Sequence, residues 1–174
     1  MVTVKYDLNE LTENIKQWFR DRDLDKSNPK DQMLKLMEEF GELVDGLEKD
    51  DQELITDSMG DVYVVLVGLT LQTGIDFNKA VSESVKEISH LVDSTPKELL
   101  LEMMKKIGKL AEGLAKNKEE VTKDSIGNIY VVLNILSSRI KIGLDVAINT
   151  AYQEIKDRKG KKVNGVFIKE EDLQ

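Results

Sequence analysis

The hydrophobic and polar residues of this chain follow the period of an α-helix. Between residues 33 and 47, apolar side chains recur every three or four positions, which places them on one side of a helix. These positions are Met33, Leu36, Met37, Phe40, Leu43, Val44 and Leu47. The other side carries Lys35, Glu38, Glu42 and Asp45, with Glu39 at its edge. The pattern predicts an amphipathic helix with an acidic outer face.

Similar patterns predict an all-α fold. The predicted helices span about residues 8–22, 29–48, 51–72, 76–92, 96–115, 119–141 and 144–159. Two of them contain β-branched runs, but each run continues a segment too long for a typical strand and shows no alternation of apolar and polar residues. Helices with little polar surface belong at the centre of a bundle. The tail from 160 to 174 is predicted to be irregular.

The sequence contains an internal repeat. A shift of 67 positions, which carries Gly41 to Gly108, superposes identical residues at several other places without a gap. The matches include Leu43 with Leu110, Gly46-Leu47 with Gly113-Leu114, Asp57-Ser58 with Asp124-Ser125, Gly60 with Gly127, and 63–66 with 130–133. Such dense matching indicates a duplicated helical hairpin, with a first repeat at residues 1–93 and a second at 94–174.

The two repeats differ in their charges. In the second repeat, Glu38, Glu39, Glu42 and Asp61 are replaced in order by Lys105, Lys106, Lys109 and Asn128. Because three lysines would repel a metal ion, the second repeat is expected to be catalytically silent. Its lysines are expected either to form ion pairs with Glu112 or Asp124, or to bind phosphate.

The acids of the first repeat indicate a metal site. Residues three or four apart share a helix face, so Glu38 and Glu42 can converge, Glu39 can join them from the side, and Asp57 lies one turn from Asp61. Asp61 opens a long apolar run, where an unpaired carboxylate is costly unless a cation such as a divalent metal meets it. The alternative for the three glutamates alone is an ordinary solvated acidic face.

Composition excludes several classes of protein. The 174 residues include no cysteine and one histidine, His90, which excludes a disulfide scaffold, a thiol nucleophile and a multi-histidine metal site. A net charge of −8 opposes binding to long nucleic acids, so a phosphate-bearing ligand needs a metal ion or a local basic cluster. With no signal-peptide pattern and no apolar run long enough to span a bilayer, we expect a cytoplasmic protein that does not enter a membrane.

The acidic segments resemble a known family. The segment from Gln32 to Leu43, followed by that from Gly60 to Leu66, is similar to MazG-type all-α nucleoside triphosphate pyrophosphohydrolases, whose pattern is a Glu-x-x-Glu helix followed by a Glu-x-x-Asp helix. The basic end of the chain also resembles the ends of phage-type MazG-like proteins. The resemblance implies a nucleoside triphosphate substrate, magnesium or manganese as cofactor, and release of pyrophosphate. It also implies an internal pseudo-dimer of the two repeats or a homodimer of chains.

The resemblance further implies roles for single residues. Glu39, Glu42 and Asp61 would bind the metal, with Asp57 as a further candidate, and Glu38 would be a ligand or the base that orients the attacking water. Substrate contacts are expected from Trp18, Gln32, Lys35, Arg158, Lys159 and Lys162. Simpler roles compete for some of these residues, namely core packing for the tryptophan, a surface ion pair for the first lysine and a solvated chain end for the basic tail.

One residue departs from the family pattern. Ser58 stands where the family has the Glu of Glu-x-x-Asp, so this position offers a hydroxyl and no charge. Either Asp57, about 100° around the helix, replaces the missing acid, or the site holds fewer metal ions. The departure supports an alternative function, a catalytically weak or inactive module that binds a nucleotide or metal. A purely structural helical adaptor is a third reading, but it does not explain Asp61.

Overall fold

Seven α-helices make up most of the computed structural model, which describes residues 5–164 and 166–173. They are α1 (Leu8–Arg20), α2 (Pro29–Lys49), α3 (Gln52–Thr73), α4 (Phe77–Ile88), α5 (Pro96–Ala115), α6 (Glu119–Ile140) and α7 (Leu144–Ile155). Each coincides with a predicted helix to within four residues at either end. The predicted all-α fold class is therefore confirmed.

The chain end departs from the prediction. Strands β1 (Gly160–Val163) and β2 (Val166–Lys169) form an antiparallel hairpin, with Gly160 opposite Lys169 and Lys162 opposite Phe167. All four residues of β1 are exposed, so the strand shows no alternation of apolar and polar positions that a sequence pattern could reveal. The prediction of an irregular tail was wrong for these residues.

Local chemistry fixes where the repeated helices begin. The side chain of Asn28 accepts a hydrogen bond from the Lys30 amide at 3.0 Å, and Pro29 follows as the first residue of α2. At the start of α5, Thr95 and Glu98 form a reciprocal capping box. Both repeats thus set the first turn of this helix with a side-chain cap and a proline.

The helices pack into two compact units that do not follow chain order. The first unit consists of residues 1–73 and 145–174, and so holds α1, α2, α3, α7 and the β-hairpin. The second unit consists of residues 74–144, with α4, α5 and α6. The predicted domain boundary between residues 93 and 94 rests on the sequence repeat and stays a prediction.

In each unit, a glycine on the long central helix allows a shorter helix to cross it at close distance. In the first unit, α7 crosses α3 at Gly60, where an added Cβ would run into the Ala147 carbonyl. In the second unit, α4 crosses α6 at Gly127, where a Cβ would run into the Ala80 carbonyl. The shift of 67 residues relates both members of these two pairs. The third helix of each repeat therefore packs on the central helix of the other repeat.

The first unit is built around α3, in which all but a few residues between Ile55 and Thr70 are buried. Among the described helices, α3 alone has the length and apolar composition to cross a membrane, yet 72% of its most apolar window is buried inside the protein. This burial is that of a helix at the centre of a bundle. On its surface, Tyr63 and Thr12 share a hydrogen bond of 2.6 Å that ties α1 to α3.

Two polar contacts attach the end of α7 to α1. The indole Nε1 of Trp18 donates a hydrogen bond to the Ile155 carbonyl at 2.7 Å. The guanidinium of Arg22 donates to the Arg158 carbonyl at 2.9 Å and lies over the Trp18 ring, 4.5 Å from its centroid. These contacts hold residues 154–158 beside the acidic helices α2 and α3.

Candidate functional site

A cavity of about 370 Å³ opens in the first unit between α1, α2, α3, the end of α7 and β2. Its lining contains most of the predicted site residues, namely Trp18, Gln32, Lys35, Glu38, Glu39, Glu42, Asp57, Asp61 and Arg158. Lys159 lies apart from them and lines a neighbouring cavity. The ammonium of Lys162 also lies apart, where it donates a hydrogen bond to the Asp23 carbonyl at 2.7 Å.

One buried acid, Glu39, and one half-buried acid, Asp61, define one end of this cavity. Burial raises the pKa of Asp61 to about 7, and the neighbouring Glu39 and Asp57 carboxylates add to that rise. The side chain of Glu39 is itself 8% exposed, and burial raises its pKa although Lys35 opposes the shift. Both shifts mean that burial, together with the neighbouring carboxylates, disfavours the charged form of these two acids.

Asp57 rather than Ser58 faces this acidic end. Ser58 is fully buried, and its hydroxyl donates to the Leu54 carbonyl at 2.7 Å, inside its own helix. Asp57 lines the cavity, and its buried Oδ1 has no hydrogen-bond partner among the described residues. On the cavity wall formed by α7, burial raises the pKa of Glu154, and Asp57 raises it further.

In the second unit, the place that corresponds to the acidic end has an acid with an ammonium and an amide beside it. The counterparts of Glu39, Asp61 and Glu154 at the shift of 67 residues are Lys106, Asn128 and Glu87. The Asn128 amide donates to Glu87 Oε2 at 3.3 Å, and Lys106 Nζ lies 3.6 Å from Glu87 Oε1. An amide and an ammonium thus meet Glu87, the one acid among these three positions, whereas the first unit places carboxylates at all three.

The other lysines of the second repeat also have acidic partners. Lys109 Nζ lies 3.8 Å from Glu112, one of the two partners that the sequence left open, and Lys105 pairs with Glu102 one turn earlier on α5. Lys106 shares Glu102 as well, at 3.6 Å. In the structure these lysines are matched within their own unit.

The acidic end fits a hard divalent cation. Its donors are carboxylate oxygens, the ligands that magnesium and manganese prefer, and the buried Asp57 Oδ1 has an unused lone pair. Within residues 5–164 and 166–173, no three acidic or histidine side chains already lie close enough together to hold a metal ion. Glu39, Asp57 and Asp61 are the residues on the cavity that would hold such an ion.

Basic side chains stand next to the acids. Lys35 Nζ lies 2.6 Å from Glu38 and 3.5 Å from Glu39, so the predicted ion pair forms while the same side chain lines the cavity. Arg158 lies 3.9 Å from Glu154 and lines the cavity together with Lys169 of β2. These cations border the acidic end without neutralising Asp61.

Another part of the cavity lining is apolar with a few polar groups. Trp18 is 9% exposed and packs edge-on against Phe19 and Phe167, so it belongs to the core while still lining the cavity. The buried Ser27 Oγ and Gln72 Oε1 have no hydrogen-bond partner among the described residues, and both side chains line the cavity. Unpaired buried polar atoms on an apolar wall are suited to a planar ligand that carries N–H groups.

Sequence reasoning missed several of these residues. Glu154 lies on α7, whose role at the cavity depends on a helix crossing that local patterns do not encode. Its repeat counterpart Glu87 was available as a signal, because a charged residue kept at matched positions of both repeats marks a shared structural location. Ser27 and Gln72 carry no motif, and their significance rests on burial alone.

Comparisons with known proteins give one family match and one curated relative. Residues 27–91 match the family model described as MazG nucleotide pyrophosphohydrolase domain. A protein of Haemophilus phage HP1 (strain HP1c1), described as an uncharacterized 18.2 kDa protein in the rep-hol intergenic region, is 37% identical over 122 residues, which cover 62% of this chain and 73% of the relative. No solved structure matches the chain significantly. The matched segment carries all the acids of α2 and α3 that line the cavity.

Proposed function

The chain belongs to the MazG nucleotide pyrophosphohydrolase family, and from this premise we propose that it hydrolyses nucleoside triphosphates to a nucleoside monophosphate and pyrophosphate. In this reaction water adds across the anhydride between the α and β phosphates. The observation that supports the proposal is the set of uncompensated carboxylates on the cavity of the first unit, at positions where the second unit has a lysine and an asparagine.

In this proposal Glu39, Asp57 and Asp61 bind magnesium or manganese, with Glu42 at the cavity mouth completing the set. A bound divalent ion neutralises phosphate oxygens and lowers the pKa of a coordinated water. Glu38, which is more exposed and already accepts a hydrogen bond from Lys35, orients the attacking water. Asp57 takes the role of the family glutamate that is missing at Ser58, because the serine hydroxyl is turned into its own helix.

The two ends of the cavity orient the nucleotide. Lys35 and Arg158 border the acidic end, where they attract the triphosphate, and a bidentate guanidinium is well suited to phosphate. The base then lies towards Ser27 and Gln72, whose unpaired atoms can accept hydrogen bonds from its amino or imino groups. Trp18, with its indole N–H already bonded to Ile155, offers the base an aromatic edge and no hydrogen bond.

We place the second repeat outside catalysis and the protein in the cytoplasm. At its counterpart of the acidic end, Lys106 and Asn128 contact Glu87, so that Asp124, the counterpart of Asp57, is the carboxylate left there without such a contact. The duplication itself, with one active and one silent repeat forming a pseudo-dimer, is part of this proposal.

The experiment is a panel of ribo- and deoxyribonucleoside triphosphates incubated with magnesium or manganese, with pyrophosphate as the readout. We expect turnover that Glu39→Gln and Asp61→Asn each reduce at least a hundredfold. Asp45→Asn is the matched control, because Asp45 is an acid of α2 that pairs with Lys49 and does not line the cavity. Turnover that survives both site variants contradicts the assignment.

A second candidate function is a binding module without turnover. It is favoured by the finding that, in the described chain, no three carboxylates are already arranged to hold a metal ion. Calorimetry with a non-hydrolysable nucleotide analogue and magnesium separates the two functions. Tight binding by the wild-type protein together with no pyrophosphate release from any triphosphate supports the module, whereas release supports the enzyme.

A further inference from the structure

Four exposed hydrophobic side chains form two short stripes, one on α2 and one on α5. Leu34 and Met37 are 65% and 56% exposed on α2, and Leu101 and Met104 are 69% and 55% exposed on α5. They make up half of the eight large hydrophobic side chains that the described residues expose. Single exposed apolar residues are common, but pairs one turn apart form a continuous surface.

Each stripe ends at a glycine. Gly41 lies one turn beyond Met37, and Gly108 lies one turn beyond Met104. A Cβ added at either glycine would meet nothing within 4 Å, so both glycines face open space rather than a neighbouring helix of the same chain. A glycine on an exposed helix face lets another helix approach closely. We define the α2 stripe as Leu34, Met37 and Gly41, and the α5 stripe as Leu101, Met104 and Gly108.

The two stripes are alike in their apolar residues and opposite in their charges. The shift of 67 residues superposes the stripes residue by residue. Between residues 34 and 42 every charged position changes sign, since Lys35, Glu38, Glu39 and Glu42 correspond to Glu102, Lys105, Lys106 and Lys109. Beyond the ends of the stripe, Asp31 and Asp45 correspond to Glu98 and Glu112 and keep their sign. Glu38 and Lys105 are 56% and 71% exposed at matched positions. The α2 stripe is thus flanked by acids and the α5 stripe by lysines.

We propose that the α2 stripe of one chain packs against the α5 stripe of a second copy of the same chain. The contact removes two Leu–Met pairs from water, which favours association through the hydrophobic effect. Glycines on both stripes let the helix axes come close. Opposite charges then face each other along the rim, chiefly Glu38 with Lys105.

Charge decides between the ways in which two copies could meet. Packing α2 on α2 brings Glu38 and Glu42 against the same acids of the other chain, and packing α5 on α5 brings Lys105 against Lys105. Both like-with-like arrangements are repulsive, and repulsion against the wrong partner is a common source of specificity. The existing pairs of Lys35 with Glu38 and of Lys105 with Glu102 are exposed contacts within one helix, which are weak enough to rearrange.

The experiment uses the full chain and two variants with one stripe disrupted in each. Leu34→Arg with Met37→Arg alters only α2, and Leu101→Glu with Met104→Glu alters only α5. Sedimentation velocity and light scattering, from low to high micromolar protein, measure association. We expect the wild type to associate and each variant alone to lose at least tenfold in affinity. An equimolar mixture of the two should associate again, because it contains one intact stripe of each kind.

Val85→Arg is the matched control, since Val85 is 49% exposed on α4 and lies outside both stripes. It should associate like the wild type. A wild-type protein that stays monomeric over this range overturns the proposal, as does a mixture that fails to associate. Loss of association in one variant only indicates like-with-like packing and also overturns it. Circular dichroism checks folding, and the corresponding double alanine variants replace any that unfold.

Discussion

The side-chain amide of Asn128 donates a hydrogen bond to Glu87 at 3.3 Å, and this contact occupies the place that Asp61 and Glu154 hold in the first unit. The second unit therefore shows how the same pair of helix positions behaves when one of the two carboxylates is replaced by an amide. Where the central helix carries an amide, the neighbouring acid has a donor. Where it carries a carboxylate, burial raises the pKa of Asp61 to about 7.

Asn128→Asp should destabilise the protein. The change replaces a donor with a carboxylate beside Glu87, in a position where Asn128 is 3% exposed. Loss of the hydrogen bond together with like-charge repulsion should lower the free energy of unfolding by about 1–3 kcal/mol. Urea denaturation at pH 8 measures this change. Because Lys106 remains beside Glu87, calorimetry should detect no new metal site, and a second binding event would contradict the silent role of this unit.

The pH dependence of stability should trace to Asp61. Its pKa in the folded protein is about 7, above the ordinary value of 3.8, so the folded state holds this proton more tightly. The resulting stabilisation is fully present below pH 3.8 and is lost as the pH rises through about 7. Each pKa unit corresponds to about 1.4 kcal/mol. In chelator, the melting temperature of the wild type should fall between pH 5.5 and pH 8 by more than that of Asp61→Asn.

Added magnesium should reverse part of this loss for the wild type at pH 8, and should do so less for Asp61→Asn. An equal pH dependence in the two proteins would show that Asp61 is not the group that titrates.

Ser58→Glu should fail to restore the family pattern. Ser58 is fully buried with its hydroxyl bonded inside α3, so a glutamate there has no route to the cavity and leaves a charge in the core. We expect a loss of several kcal/mol in unfolding free energy. Asp57→Asn should instead keep the fold and raise the magnesium concentration needed for turnover. If Ser58→Glu lowers that concentration, position 58 faces the metal and Asp57 does not.

Gly60→Ala and Gly127→Ala form a matched pair. Each added methyl would meet a carbonyl of the crossing helix, Ala147 for the first and Ala80 for the second, so both variants should be destabilised. Only Gly60→Ala displaces α7, which carries Glu154 at the cavity. Turnover should therefore fall in Gly60→Ala and persist in Gly127→Ala at a temperature where both are folded. If both variants lose turnover equally, the activity does not depend on the position of α7.

The helices could be predicted closely because their signals are local. Apolar periodicity with proline at the first turn defines α2 and α5 without knowledge of the rest of the chain. The acids of α2 and of α3 could be assigned to shared helix faces because this too depends only on local spacing. The choice between Asp57 and Ser58 could not be made, because a helical wheel gives only relative angles and the absolute rotation of α3 is set by its neighbours.

The residues that α7 and the β-hairpin contribute to the cavity could not be predicted from the sequence. Glu154 reaches the cavity through the crossing at Gly60, a contact between residues far apart in sequence. The strands of the hairpin are only four residues each, and β1 is exposed on both faces, so β1 shows no alternation of apolar and polar residues. No sequence pattern therefore indicated that Phe167 and Lys169 line the cavity.

The placement of α7 in the first unit also sets an order of events during synthesis. A chain emerges from the ribosome amino-terminal end first, and domains fold as their residues become available. Residues 74–144, which form the second unit, are all available before α7 has emerged. The first unit must wait, because its wall beside Gly60 is the last helix made. The nascent chain thus has every residue of the second unit available before the first unit, which carries the acids of α2 and α3, can close its wall with α7.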